Sequence, residues 1–128
     1  MARGTQKREG EELWAESKHQ QKLFIWFNNS PEFKEYRGLF WHNYNNPPNA
    51  VAGNLLVASG LMKGLPDMTL AYPTKEYPGL YLELKRIGQK PRPDQIAKMK
   101  QLRDVGYCVE SSDNLESSKQ IILKYLGL

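Results

Sequence analysis

The stretch Asp67-Met-Thr-Leu-Ala-Tyr-Pro-Thr-Lys-Glu-Tyr-Pro-Gly-Leu-Tyr-Leu-Glu-Leu-Lys85 decides how the chain folds. Its second half, Gly79 to Lys85, alternates: Leu80, Leu82 and Leu84 project to one side of an extended backbone, Tyr81, Glu83 and Lys85 to the other. Asp67 to Tyr72 is a second strand candidate, and the loop Pro73 to Pro78 joins the two as a hairpin. Pairing Tyr72 near Gly79 sets Asp67 opposite Leu84, to within a residue or two, and so beside Glu83 and Lys85. Two carboxylates and a lysine are therefore expected at one end of the hairpin. An ordinary cross-strand ion pair, contributing only ~0.2–1 kcal/mol when exposed, is one reading of that group. The other is a site for a hard divalent cation such as Mg2+, which takes oxygen ligands and keeps several waters.

Working outward, Glu11 to Asn28 has a helical pattern stopped at Asn28-Asn29-Ser30-Pro31, because Pro31 disfavours helix before it. Leu39 to Tyr44 suits a short strand, Asn45-Asn46-Pro47-Pro48-Asn49 an ordered loop, and Ala50 to Leu61 a short helix. After the hairpin, Pro93 and Asp94 open a helix running to Val105 and closed by Gly106. Tyr107 to Ser111 reads as a strand, and Ser112 or Asp113 as the cap of a last helix with Leu115, Ser118, Ile122 and Tyr125 at helical spacing. This order predicts an α/β fold, a small mixed β-sheet flanked by α-helices. No glycine-rich phosphate loop follows a strand, which disfavours a doubly wound nucleotide-binding fold.

The 128 residues, 40% of them hydrophobic, suit one domain over residues 11–128 behind a polar, basic arm at Met1 to Gly10. Cys108, the single cysteine, rules out an internal disulfide or a cysteine-rich zinc site. No apolar run approaches the roughly 18–20 residues of a membrane span, so a soluble, cytoplasmic protein is expected. The net charge of +4 favours polyanionic partners only weakly until its position is considered. Residues 85–103 hold seven basic side chains against one acid, Asp94, a local net charge of +6 beginning at the proposed acid cluster.

Two polar residues fall where apolar ones are expected. At about 100° per residue, Leu13, Glu16, Gln20, Phe24 and Phe27 share an arc of roughly 80°, so Glu16 lies on an apolar face, either at its rim or in a salt bridge to a lysine, or as a ligand of a cation. Gln95 lies between Met99 and Leu102 on its own helix, either as a satisfied core amide or as an active-site hydrogen bonder.

The segment Gly64-Leu-Pro-Asp67 followed by Glu83-Leu-Lys85 resembles the signature of the PD-(D/E)xK nuclease superfamily. The run from Gly60 to Leu126, with Glu16, His19, Gln20 and Trp26 in the first helix, resembles more specifically the virus-type replication-repair nuclease, or VRR-NUC, domain. The resemblance implies a restriction-endonuclease-like core and DNA cleavage with Mg2+, for which Mn2+ substitutes. Carried over residue by residue, it puts the metal on Asp67, Glu83, Glu16 and the backbone carbonyl of Leu84. It makes Lys85 and Gln95 catalytic beside Glu16, Asp67 and Glu83, and leaves Lys63, Arg86, Lys90, Arg92 and Lys98 to contact DNA. Two features depart from the family pattern: the loop Asn43 to Asn54 lacks arginine, and Arg92 stands where a Ser or Thr cap is common.

Short stand-alone members of this kind resemble phage nucleases that act as homodimers, which implies branched or four-way junction DNA as substrate and the bacterial cytoplasm or a phage-infected cell as location. A non-catalytic DNA-binding module using residues 85–103 is the alternative, and it predicts salt-sensitive binding without strand scission. A His-Asn metal finger at His42-Asn43 is disfavoured because His19 is the only other histidine.

Overall fold

The computed structural model describes residues 10–44 and 47–128. The basic arm, apart from Gly10, and Asn45-Asn46 of the expected loop lie outside the described residues. A 3-10 turn at Glu11–Leu13 leads into α1, Glu16–Asn29. A second 3-10 segment, Pro31–Tyr36, precedes β1, Phe40–His42. Then follow α2, Ala50–Ala58; β2, Met68–Leu70; β3, Leu80–Leu84; α3, Pro93–Asp104; β4, Cys108–Ser112; and α4, Leu115–Leu126. The strands form one sheet in the order β1-β2-β3-β4, with β1/β2 and β2/β3 antiparallel and β3/β4 parallel. The parallel pair needs a crossover, and α3 supplies it. The expected α/β architecture with a small mixed sheet is the one observed, although β1, β2 and β3 are shorter than their sequence patterns and β4 is shifted by one residue.

Leu80, Leu82 and Leu84 enter the core as the alternation requires, meeting Met68 and Leu70 of β2, Phe40 of β1, Leu23 and Phe27 of α1, Phe33, and Leu115 and Ile122 of α4. Phe27 sits at the centre of the aromatic part, with its ring 4.6 Å from Phe33 and 4.7 Å from Phe40.

Two readings of the sequence are corrected, and a third, the hairpin register, is narrowed within its expected spread. The first helix breaks between Leu13 and Glu16, and its inward face is His19, Leu23 and Phe27 rather than Leu13, Gln20 and Phe24. Leu13 is 79% exposed, and Glu16 lies on the flank of the buried stripe, so it does not point into the core. The hairpin register pairs Met68 with Leu82, one residue away from the expected one. Finally, Asn114 caps α4, its side-chain oxygen accepting the Ser117 N–H at 2.8 Å, where Ser112 or Asp113 was expected.

The α4 N-terminus also draws on a residue distant in sequence. Buried Glu11 accepts the Leu115 N–H on Oε2 at 2.6 Å, placing a carboxylate at the positive end of the helix. A carboxylate bond to a buried helix donor is stronger than a neutral one. Glu11→Ala is therefore expected to lower stability by roughly 1.5–3 kcal/mol in urea unfolding with an unchanged m-value; a loss under 0.5 kcal/mol would show that the contact contributes little.

Candidate metal centre

The observed register builds the site. Continued one residue beyond Met68 and Leu82, it sets Asp67 opposite Glu83, on the face away from the leucines. There Asp67 Oδ2 accepts the Leu84 N–H at 2.8 Å, which fixes the carboxylate against β3. Glu16, at the first turn of α1, completes the group: one oxygen from each of Glu16, Asp67 and Glu83 lies within 4.8 Å of the other two. Lys85 Nζ stands 3.4 Å from Glu16 Oε1 and 3.4 Å from Glu83 Oε2.

This arrangement is electrostatically incomplete. Glu83 is only 1% exposed, and among the described residues no well-formed hydrogen bond satisfies its carboxylate oxygens, Lys85 Nζ standing at the long distance of 3.4 Å. Three carboxylates face one ammonium, leaving two negative charges when all are ionised. Burial, reinforced by the neighbouring Asp67 charge, pushes the Glu83 carboxyl up to about 8. Burial likewise raises Asp67, against the lowering effect of its bond from Leu84. A structural ion pair would pull both acids down. The donor set instead fits a hard divalent cation, which would balance the two charges and occupy the unused oxygens of Glu83.

Two polar contacts brace the cluster from behind. His19, one turn after Glu16, lies with Nδ1 3.2 Å from the Lys85 carbonyl and Nε2 2.9 Å from Ser118 Oγ. A carbonyl only accepts, so Nδ1 carries the proton, and burial lowers the imidazole pKa and favours this neutral form. Asn43 holds the other side. Its backbone N–H donates to the Asp67 carbonyl at 2.7 Å, and its Nδ2 donates to the Pro66 carbonyl at 2.9 Å and to Thr69 Oγ1 at 2.8 Å. The sequence reading missed this role. Asn43 is a structural asparagine that seats the Pro66-Asp67 turn, and the only local signal for it was its place at the end of a strand.

The remaining candidates distribute unevenly. Leu84 contributes its N–H to Asp67. Gln95 is buried, and its Oε1 accepts the Arg92 N–H at 2.8 Å, capping α3 in place of the missing Ser or Thr. No hydrogen bond joins Gln95 to the acids among the described residues. Lys63, Arg86, Lys90 and Arg92 are exposed. Lys98, half-buried, donates to Gln101, while Arg92 pairs with Asp94 at 3.3 Å. Part of the basic run is structural: Arg103 donates to the Val109 carbonyl from Nε and Nη2, and Lys100 pairs with Asp104 at 2.8 Å.

Because the folded Glu83 carboxyl titrates near 8 against an ordinary 4.5, the metal-free fold binds a proton that the unfolded chain releases earlier. The stability from this group is complete below about 4.5 and is lost as pH rises through about 8. Raised Asp67 acts in the same sense. In chelator, Glu83→Gln should remove most of the fall in Tm between pH 5 and pH 9 and raise Tm at pH 9 by roughly 5–15 °C. Parallel wild-type and variant curves would contradict this assignment.

Comparison with known proteins identifies the family and the fold. The model of the VRR-NUC domain family matches residues 5–112. A solved structure described as a "VRR_NUC domain protein" superposes with a TM-score of 0.73 at 22% identity, covering 89% of this chain and 89% of that one. No curated protein matches. VRR-NUC domains are generally nucleases, and a match over most of the chain, with Asp67, Glu83 and Lys85 inside it, means that this chain belongs to the VRR-NUC family.

Proposed function

We propose that this protein is a metal-dependent endodeoxyribonuclease that hydrolyses DNA phosphodiester bonds. The observation that carries the reading is the convergence of Glu16, Asp67 and Glu83 around Lys85, with the buried oxygens of Glu83 lacking a well-formed hydrogen bond among the described residues. Glu16, Asp67, Glu83 and the Leu84 carbonyl would hold Mg2+, with Mn2+ as a substitute. When bound, such an ion polarises the phosphoryl oxygen and lowers the pKa of a coordinated water.

The side chains supply the rest. Lys85, buried and held by its backbone between Ser112 and His19, presents an ammonium that orients the attacking water and balances the charge gathering on the phosphate oxygens. Gln95, with its oxygen occupied by the α3 cap, keeps a carboxamide nitrogen to donate toward the substrate. Lys63, Arg86, Lys90, Arg92 and Lys98 seat the flanking phosphates, a contribution that weakens with salt.

The reading extends to a homodimer acting on branched DNA, such as a four-way junction, in phage replication, recombination or repair. Its support is α2, an almost wholly apolar helix with no buried residue, on which Val51, Leu55 and Val57 are 71%, 66% and 59% exposed. Sedimentation as a 14.8 kDa monomer at micromolar concentration, with and without junction DNA, would remove the dimer.

Labelled duplex, single-strand, flap and four-way junction DNA, incubated with Mg2+, Mn2+ or chelator, tests the activity. Wild-type protein should cut at least one branched substrate with metal and none in chelator. Asp67→Ala and Glu83→Ala should lose cleavage by about 10³-fold or more while retaining folded circular dichroism. Cleavage by either folded variant at the wild-type rate would overturn the assignment, and salt-sensitive binding without scission by wild type would favour a DNA-binding module.

A further inference from the structure

A cleft of about 270 Å³ opens beside the acid cluster, lined by Glu16, Ser17, Gln20, His42, Asn43, Tyr44 and Asp67. We propose that this cleft accepts a single unpaired nucleobase next to the phosphate being cut, an inference that rests on the nuclease reading above. Position is the first argument. Glu16 and Asp67 belong both to the cluster and to the cleft wall, so a group seated there lies beside the reacting phosphate.

Chemistry is the second argument. Apart from Glu16 and Asp67, which the proposed cation would engage, the cleft is lined by neutral side chains and, among the described residues, by no lysine or arginine that would hold a second phosphate. The basic residues assigned to phosphate contact lie elsewhere in the chain. What remains is neutral and suited to a flat heterocycle: the rings of His42 and Tyr44, the hydroxyl of Ser17 and the carboxamide of Gln20. Tyr44 is 49% exposed, and its ring contacts no other aromatic ring among the described residues, so one face is available for stacking. Asn43 is committed to Pro66 and Thr69, whereas Ser17 and Gln20 make no side-chain hydrogen bond to a described residue, so recognition of base edges falls to these two.

Size is the third. The volume lies just below the roughly 300–1,000 Å³ of small-molecule sites, the scale of one base rather than of a duplex. A base inside a duplex must unstack to enter, which costs least at a flap, gap, mismatch or junction. The cleft thereby converts an unpaired nucleotide beside the scissile bond into binding energy, favouring substrates that present one there.

The test uses full-length protein and oligonucleotides carrying 2-aminopurine, either unpaired in a flap or paired within a duplex, in Ca2+. Wild type should change the fluorescence of the flap probe on binding and leave that of the duplex probe nearly unchanged. Tyr44→Ala should abolish the flap signal and weaken flap binding roughly 10-fold, with duplex affinity and Mn2+ affinity unchanged. Tyr44→Phe should retain the signal. On a cleavable flap, Tyr44→Ala should raise KM with little change in kcat. Wild-type flap signal and affinity in Tyr44→Ala would overturn the proposal, as would an equal loss on flap and duplex. Because the fluorescence reading requires no cleavage, a protein that binds the flap base but cuts no DNA would refute the nuclease reading alone, whereas active protein indifferent to Tyr44 would refute the base cleft alone.

Discussion

With Met68 opposite Leu82, Asp67 falls opposite Glu83, and its carboxylate takes the Leu84 N–H at 2.8 Å. Everything proposed for this molecule depends on that register. A slip of one residue would turn Met68 and Leu70 out of the core and Asp67 into it. The leucines of β3, packed against Phe27 and Ile122, therefore fix the position of an acid on the opposite face of the sheet. Packing energy and site geometry are two consequences of one pairing.

The fold in turn holds together charges that disfavour one another. Glu83 is buried, with no well-formed hydrogen bond to its oxygens among the described residues, beside a second carboxylate that repels it. Such a group destabilises the metal-free protein, and the surroundings offset this by bracing rather than by neutralising. His19 grips the Lys85 carbonyl and Ser118, Asn43 grips the Pro66-Asp67 turn, and Glu11 ties the N-terminal turn to the start of α4. Local unfavourable electrostatics sustained by strong surrounding structure is the arrangement expected where a cation supplies the missing charge.

Much of this was legible in the sequence. The leucine alternation of β3 identified both its core face and the side carrying Glu83 and Lys85, because a period of two leaves little ambiguity over five residues. The grouping of Asp67 with Glu83 survived a one-residue error in register, since the spread allowed by the hairpin loop included the true pairing. Glu16 stands at the rim of the buried stripe with Lys85 3.4 Å away, as two of the readings open to it allowed, while the helix begins later than its pattern because the chain turns at Leu13. Contacts between distant segments were not legible. Glu11 meets Leu115, His19 meets Lys85 and Ser118, and Asn43 meets Pro66 only because the sheet and helices have already packed. The basic run after Lys85 also overstated itself, because Arg103 serves the Val109 carbonyl and Lys100 pairs with Asp104, one residue beyond the stretch counted.

The central claim is that Asp67, just before β2, and Glu83 of β3 are assembled for a divalent cation. Calorimetric titration of Mn2+ into chelator-treated protein tests it most directly, with Asp67→Asn and Glu83→Gln titrated in parallel after their folds are checked. The account predicts saturable binding to the wild type that weakens by at least roughly 10–100-fold in each folded variant. Equal Mn2+ affinity in wild type and both variants would contradict it.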